Sequence, residues 1–123
     1  MTRYSHPTLV DSHCHLDFPE FDDNIDNIIQ RAKNVGVSKI LTICTKPKDL
    51  RKIIEIVKYQ SIVYFAAGTH PLNKKISDKF TKDKLLQLTE NPKMVGIGET
   101  GLDISIHLKI QMTRKNTFDY TSL

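Results

Sequence analysis

Four short apolar runs, separated by segments with helical periodicity, constrain the fold of this 123-residue chain more than any other feature. The distance from each run to the next is close to the roughly 30 residues of a β-α-β unit. The second and third runs are almost continuously apolar, as expected of strands buried on both faces of a parallel sheet. The pattern predicts an α/β fold with strands at residues 8–12, 39–44, 62–67 and 94–98.

The segments between these runs carry helix boundary signals. The first helix, predicted at residues 22–35, has isoleucines at helical spacing, acidic residues in its first turn and Gly36 as its stop. Pro47 can open the second helix, and Thr81 can cap the third, with Asp83 in its first turn. Four strands are half of a (β/α)8 barrel, which usually takes about 250 residues. We therefore predict a parallel α/β protein with about four strands and intervening helices, which is only half the strand number of such a barrel.

Polar residues follow the strands at their C-terminal ends, where α/β barrels hold their active sites. His13 and His15 end the first strand one residue apart, and alternate residues of a strand face the same side. Two imidazoles that converge in this way form half of a site for zinc, iron or a similar divalent ion. The alternative is that both rings bond to neighbouring carbonyl groups. Asp11 can orient an imidazole by accepting its other N–H, or it can simply end the strand.

A second polar strand end follows the fourth run, where Glu99 lies among Gly96, Gly98 and Gly101. Glycines allow backbones to pack closely, so that a long carboxylate can reach the mouth of a barrel. The alternative is an ordinary surface glutamate, which gives the surrounding glycines no evident purpose. His70 follows the third strand and is either a functional residue or a turn histidine without a role.

Three segments resemble, in order and spacing, the first three motifs of the TatD-like deoxyribonucleases, which are metal-dependent hydrolases with a (β/α)8 barrel. The segments are residues 11–17 (DSHCHLD), 68–71 (GTHP) and 96–103 (GIGETGLD). The resemblance implies that His13, His15 and Glu99 bind divalent cations, with Glu99 bridging two ions and acting as the catalytic carboxylate. It also implies that His70 contacts a substrate phosphate. The implied reaction is two-metal hydrolysis of DNA phosphodiesters, with Mg²⁺, Mn²⁺ and Zn²⁺ all compatible with these ligands.

Residues 104–123 depart from the pattern, because no amphipathic helix follows the fourth strand. The resemblance implies that residues 1–103 form the N-terminal half of a TIM-type (β/α)8 barrel, and we expect residues 104–123 to be an atypical tail, either frameshifted or disordered. The family supplies further ligands, histidines and an aspartate, from later strands, and this chain has no counterpart to them. We therefore expect a truncated hydrolase with weak or no activity.

Two other functions stay open at this point. The first is a non-catalytic half barrel whose unpaired sheet edges lead to self-association or to pairing with a separate second half. The second is a different amidohydrolase-type barrel enzyme that acts on an ester or a small phosphate compound. Residues 98–101 (GETG) argue against the latter.

Composition limits the partners and the location. The net charge is +4, but the lysines are scattered, so charge alone does not indicate nucleic-acid binding. Cys14 and Cys44 are the only cysteines and lack a partner motif, which favours free thiols and a reducing compartment. The sequence shows neither a signal segment nor a run of membrane-spanning length. We therefore predict a cytoplasmic protein without a membrane partner.

Overall fold

The computed structural model describes residues 8–101, and within them four parallel strands form one sheet. Each strand pairs with the next along the chain, in the order β1-β2-β3-β4. The predicted alternation of four parallel strands with helices is confirmed. The strands are β1 (Leu9–Cys14), β2 (Val37–Cys44), β3 (Val63–Ala67) and β4 (Met94–Ile97). The connecting helices are α1 (Ile25–Asn34), α2 (Leu50–Tyr59) and α3 (Lys82–Leu88).

The helix boundaries follow the predicted caps at Thr81 and Gly36 and differ at the starts of α1 and α2. Pro47 opens a 3-10 turn (Pro47–Asp49), and α2 begins directly after it at Leu50. The Oγ1 of Thr81 accepts a hydrogen bond from the backbone N–H of Lys84 at 3.2 Å, as an N-cap does. Gly36 has a φ of 95°, a left-handed conformation that suits glycine just after a helix. Helix α1 begins at Ile25 rather than at residue 22, because a 3-10 turn at Pro19–Phe21 and a further turn at residues 22–23 occupy the preceding stretch.

One face of the sheet packs against the helices and forms the core. Phe65 and Val63 of β3, Ile53 of α2 and Leu85 of α3 are completely buried there, and Ile29 of α1 is 1% exposed. Full burial of an aliphatic or aromatic side chain contributes about 1.5–3 kcal/mol. The helix-covered face therefore supplies most of the apolar stabilisation.

The opposite face carries the alternate strand residues, and no layer covers it within the described residues. Val10, Leu41, Tyr64 and Val95 line a shallow apolar groove on this face. Val10 is 61% exposed and Val95 is 57% exposed. In a (β/α)8 barrel this face becomes the packed interior.

The predicted boundary at residue 103 and the predicted tail at residues 104–123 lie outside the described residues. The division of the chain into these two parts therefore stays a prediction. Among residues 8–101 no helix is long and apolar enough to cross a membrane.

Candidate metal centre

The three predicted metal ligands, which come from the two edge strands of the sheet, meet at one point. The Nε2 of His13 lies 2.9 Å, and the Nε2 of His15 lies 3.3 Å, from the Oε1 of Glu99. The histidines end β1 and the glutamate follows β4, with two strands between them. Contact across that distance requires the sheet to curl, as the strands of a barrel do.

A β-bulge at the end of β1 directs the two histidines. Asp11 pairs with Ile40 and Cys14 pairs with Thr42, so β1 uses one residue more than β2 between these two points. Such an extra residue bends the strand and re-aims its side chains. The carboxylate of Asp11 accepts the backbone N–H of His13 at 3.1 Å. Asp11 therefore holds the bulged backbone, whereas the sequence had left open whether it orients an imidazole or ends the strand.

His15 is held in the tautomer that suits a metal ligand. Its Nδ1 lies 3.2 Å from the carbonyl oxygen of Ile43, which can only accept a hydrogen bond, so Nδ1 carries the proton. The neutral ring then has its lone pair on Nε2, the nitrogen that faces Glu99. Phe18 stacks on the other side of the ring, with centroids 4.8 Å apart and an interplanar angle of 11°. The ring is thus fixed both by a hydrogen bond and by stacking.

His70 joins the same cluster but in the opposite tautomer. Its Nδ1 accepts the backbone N–H of Leu72 at 3.1 Å, so in the neutral ring the proton resides on Nε2. That Nε2 lies 3.4 Å from the Oε2 of Glu99. His70 therefore presents a hydrogen-bond donor to the cluster, which fits the predicted contact with a substrate better than it fits metal ligation.

Glu99 is positioned by a close approach between the ends of β3 and β4. A Cβ placed on Gly68 would lie 2.8 Å from the carbonyl carbon of Gly98, so only glycine fits there. The backbone N–H of Gly98 donates to the carbonyl of Ala67 at 3.1 Å and ties the two strand ends together. The peptide before Glu99 therefore rests directly on the end of β3.

Two completely buried threonines, which sequence reasoning missed, anchor the chain beyond two strand ends. The Oγ1 of Thr42 accepts the backbone N–H of Leu16 at 3.0 Å, directly after His15. The Oγ1 of Thr69 accepts the backbone N–H of Phe80 at 2.9 Å, next to His70. A threonine within an otherwise apolar strand end is the one signal that could have indicated such an anchor.

The donor set fits a divalent cation. The ligand atoms of His13, His15 and Glu99 all lie within 4.8 Å of one another. Two ligands that are each about 2.1 Å from a shared ion lie about 3.0 Å apart at a right angle and about 3.4 Å apart at a tetrahedral angle. The separations of 2.9 and 3.3 Å between the imidazole nitrogens and the carboxylate oxygen are close to these two values. Imidazole and carboxylate ligands together accept several metals and do not select one.

The two cysteines are free thiols outside this donor set. Burial raises the pKa of both Cys14 and Cys44 to about 12, with nearby carboxylates adding to the effect. Their Sγ atoms donate to the backbone carbonyls of Leu41 and Lys46. Since a metal binds the thiolate, a thiol of this kind is a poor ligand.

The His-His-Glu cluster joins a donor set that is common for divalent metals to the carboxyl edge of the sheet, where α/β barrels hold their active sites. The family described as TatD related DNase matches residues 10–119 of the sequence. With most of its length matched, this chain belongs to the TatD-related DNase family.

Curated and solved relatives agree with this assignment. The chain is 34% identical over 98 residues to the uncharacterized metal-dependent hydrolase YjjV of Escherichia coli K12, covering 78% of this chain and 38% of that protein. It is 32% identical to the human deoxyribonuclease TATDN3, covering 79% of this chain and 39% of that protein. The crystal structure of YjjV superposes with a TM-score of 0.70 at 28% identity, over 93% of this chain and 44% of that one. The chain thus spans about two-fifths of the length of the curated relatives it matches.

Proposed function

We propose that this chain carries the first ligands of a metal-dependent phosphodiesterase that hydrolyses DNA. The observation behind the proposal is the meeting of His13 and His15 with one oxygen of Glu99 within 3.3 Å. Membership of the TatD-related DNase family supports it, and one relative is named a deoxyribonuclease. DNA is therefore the proposed substrate.

The side chains divide the work according to their protonation. His13 and His15 turn Nε2 towards a shared point and act as neutral ligands, while Glu99 adds a carboxylate oxygen there. Glu99 is the proposed catalytic carboxylate and the proposed bridge between two ions, as the family resemblance implies, and its second oxygen lies 3.4 Å from Nε2 of His70. His70 donates its Nε2–H and is the proposed contact to a substrate phosphate. A divalent ion, when bound, supplies a hydroxide nucleophile at neutral pH and stabilises the leaving oxygen.

We further infer that the 123-residue polypeptide binds metal but turns over DNA weakly or not at all. Three candidate ligands occur together among the described residues. Two ions about 3.5–4 Å apart, as in two-metal hydrolysis, need more ligand atoms than these side chains offer. The division into a half barrel at residues 1–103 and an atypical tail at residues 104–123 belongs to the same proposal.

A second candidate function is a non-catalytic half barrel that self-associates or pairs with a separate second half. The exposed apolar groove favours it, since Val10 and Val95 are more than half exposed. Within the described residues, β1 and β4 each have only one strand partner, and such edges can pair with another chain.

We also propose a reducing compartment, in agreement with the cytoplasmic location expected from the sequence. The support is that Cys14 and Cys44 are both free thiols.

The metal proposal is tested by calorimetric titration of the chain with Zn²⁺, Mn²⁺ and Mg²⁺. We expect one or more of these ions to bind, and we expect Glu99→Gln to lose that binding. Glu90→Gln is the matched control, because Glu90 is an exposed glutamate outside the cluster. No binding by the wild type, or equal affinity in Glu99→Gln, would contradict the proposal.

Two further measurements separate the candidate functions. A nuclease assay with and without EDTA should show little or no metal-dependent turnover by the 123-residue polypeptide, and robust EDTA-sensitive turnover would contradict weak activity. Size-exclusion chromatography with light scattering reports self-association. A compact dimer without metal binding would favour the non-catalytic half barrel.

A further inference from the structure

A cavity of about 420 Å³ lies beside the metal centre and has no role in the proposed metal chemistry. Its walls come from the segments that follow β1, β2 and β3, and they include Phe18, Lys46, Lys48 and Asn73. The volume falls in the range of about 300–1,000 Å³ that is usual for small-molecule sites. The cavity is therefore large enough for part of a substrate.

The cavity shares residues with the metal centre. His70 lines the cavity and lies 3.4 Å from Oε2 of Glu99. Phe18 lines it as well and stacks on the ring of His15. A ligand in the cavity would therefore extend directly from the place where the metal ligands converge.

Two lysines give the cavity a cationic side. Lys46 and Lys48 flank Pro47 in the segment between β2 and α2, and within residues 8–101 neither ammonium forms a salt bridge. The loops around them are fixed, because the buried Asn73 donates from its amide to the carbonyls of Thr45 and Asp78. These ammonium groups are consequently free to bind an anion at a defined wall.

Two acidic residues on the same walls decide which anion fits. Asp17 and Asp49 also line the cavity, and Oδ1 of Asp17 is buried without a hydrogen-bond partner among the described residues. A small free phosphate would face these carboxylates as well as the lysines. A nucleotide combines an anionic phosphate with a neutral base whose N–H groups can donate to a carboxylate.

An aromatic ring completes the site. Phe18 is 46% exposed although one of its faces stacks on His15. An exposed ring beside cationic groups is the usual combination for binding single-stranded nucleic acid, because bases stack on the ring while the phosphates contact the cations.

We propose that this cavity binds the nucleotide adjoining the scissile phosphate of a single-stranded DNA substrate. Lys46 and Lys48 contact its backbone phosphate, and its base stacks on Phe18. The inference rests on the proposed function, since it places this nucleotide next to the phosphodiester that the metal centre would cleave.

The test measures binding of a fluorescently labelled short oligothymidylate by anisotropy, in EDTA, over a range of salt concentrations. For the full chain with Lys46→Gln and Lys48→Gln together, we expect about 10-fold weaker binding at low salt. The slope of log affinity against log salt should fall by about 0.7, since the two lysines contact one phosphate and each phosphate contact to a single strand contributes about 0.7. Phe18→Leu should weaken binding about 10-fold with an unchanged slope, because it removes stacking and no charge.

The matched control is Lys33→Gln with Lys58→Gln. These lysines lie in the last turns of α1 and α2, at the opposite edge of the sheet, and their replacement removes the same two charges. We expect this control to keep the wild-type affinity and slope. Circular dichroism checks that all variants are folded.

Several results would overturn the inference. The first is that the wild type does not bind the oligonucleotide. The second is an unchanged salt slope in the Lys46 and Lys48 variant, and the third is an equal loss of oligonucleotide affinity in the Lys33 and Lys58 control. Competition by inorganic phosphate as strong as that by thymidine monophosphate would replace the nucleotide site with a simple anion site. Because the assay contains no metal, oligonucleotide binding without any metal affinity would refute the proposed hydrolase and leave this site standing. Metal binding by the wild type, together with an unchanged salt slope in the Lys46 and Lys48 variant, would refute this nucleotide site and leave the proposed hydrolase standing.

Discussion

The end of β1 and the end of β3 both reach Glu99, but they offer it different chemistry. At the β1 end, the carbonyl of Ile43 holds the proton of His15 on Nδ1 and leaves Nε2 as a lone-pair donor. At the β3 end, the backbone N–H of Leu72 occupies Nδ1 of His70 and leaves the proton on Nε2. The backbone group on Nδ1 is an acceptor for His15 and a donor for His70. This difference makes Nε2 a metal ligand in His15 and a hydrogen-bond donor in His70, although both side chains are histidine.

The largest effect that tests this contrast comes from a matched pair, His15→Asn and His70→Asn. An asparagine amide can replace the Nδ1 contact of either histidine and removes only the Nε2 function. We expect His15→Asn to lower metal affinity by more than about 100-fold, beyond the loss typical of an outer partner. We expect His70→Asn to lower it by about 10-fold, because it removes a hydrogen bond to Glu99 rather than a ligand. Calorimetric titration measures both, and equal losses would show that the two ends are not chemically different.

A second pair tests whether the anchoring of each end is also distinct. Thr42→Val and Thr69→Val each keep the side-chain shape and leave one buried backbone N–H without an acceptor. Each should lower the free energy of unfolding by about 1–3 kcal/mol in urea denaturation. Only Thr42→Val should also weaken metal binding, since the N–H that it releases belongs to Leu16, directly after His15. If Thr69→Val lowers metal affinity as much as Thr42→Val does, the loss follows from lower stability of the fold and not from the anchoring of His15.

Much of the fold and the grouping of the site could be predicted from local sequence patterns. The apolar runs indicated the strands, and Thr81 and Gly36 indicated helix ends. Parallel strands share one carboxyl edge, where the polar strand ends collect, but the grouping of His13, His15 and Glu99 as ligands came from the resemblance to the TatD-like family. Metal binding by these residues stays a prediction. The three motifs, found in the family's order, also implied the family's barrel fold. The superposition of the chain on the crystal structure of YjjV agrees with that fold.

The tautomers and the second layer of contacts could not be predicted. The proton position on His15 depends on a carbonyl 28 residues away, and it also depends on a bulge that shifts the pairing of β1 with β2. The stacking of Phe18 depends on the turn after β1, which a periodicity argument does not describe. The early start expected for α1 was wrong for the same reason, since that turn occupies the predicted first residues of the helix.

A third prediction concerns the contact that places Glu99 between the two ends. Gly68→Ala introduces a Cβ 2.8 Å from the carbonyl carbon of Gly98, so the peptide before Glu99 must shift. We expect about 10-fold weaker metal binding, the size of a displaced outer contact. Gly96→Ala is the control, because its Cβ would meet only the Cβ of Ala66 at an ordinary 3.8 Å. If both variants bind metal like the wild type, the strand contact does not position the carboxylate.

The smallest expected effect concerns the sulfur atom between the two histidines of the β1 end. With its pKa raised to about 12 by burial, Cys14 is ionised in only about one molecule in ten thousand at pH 8, and the same holds for Cys44. Iodoacetamide should therefore label neither thiol of the folded chain at that pH, and both should react after unfolding in urea. Added Zn²⁺ should leave the folded result unchanged, because the β1 end presents nitrogen and not sulfur to a metal. Rapid labelling of Cys14 that is suppressed by Zn²⁺ would show that its thiolate binds the metal. The difference between the β1 end and the β3 end would then no longer rest on histidine tautomers alone.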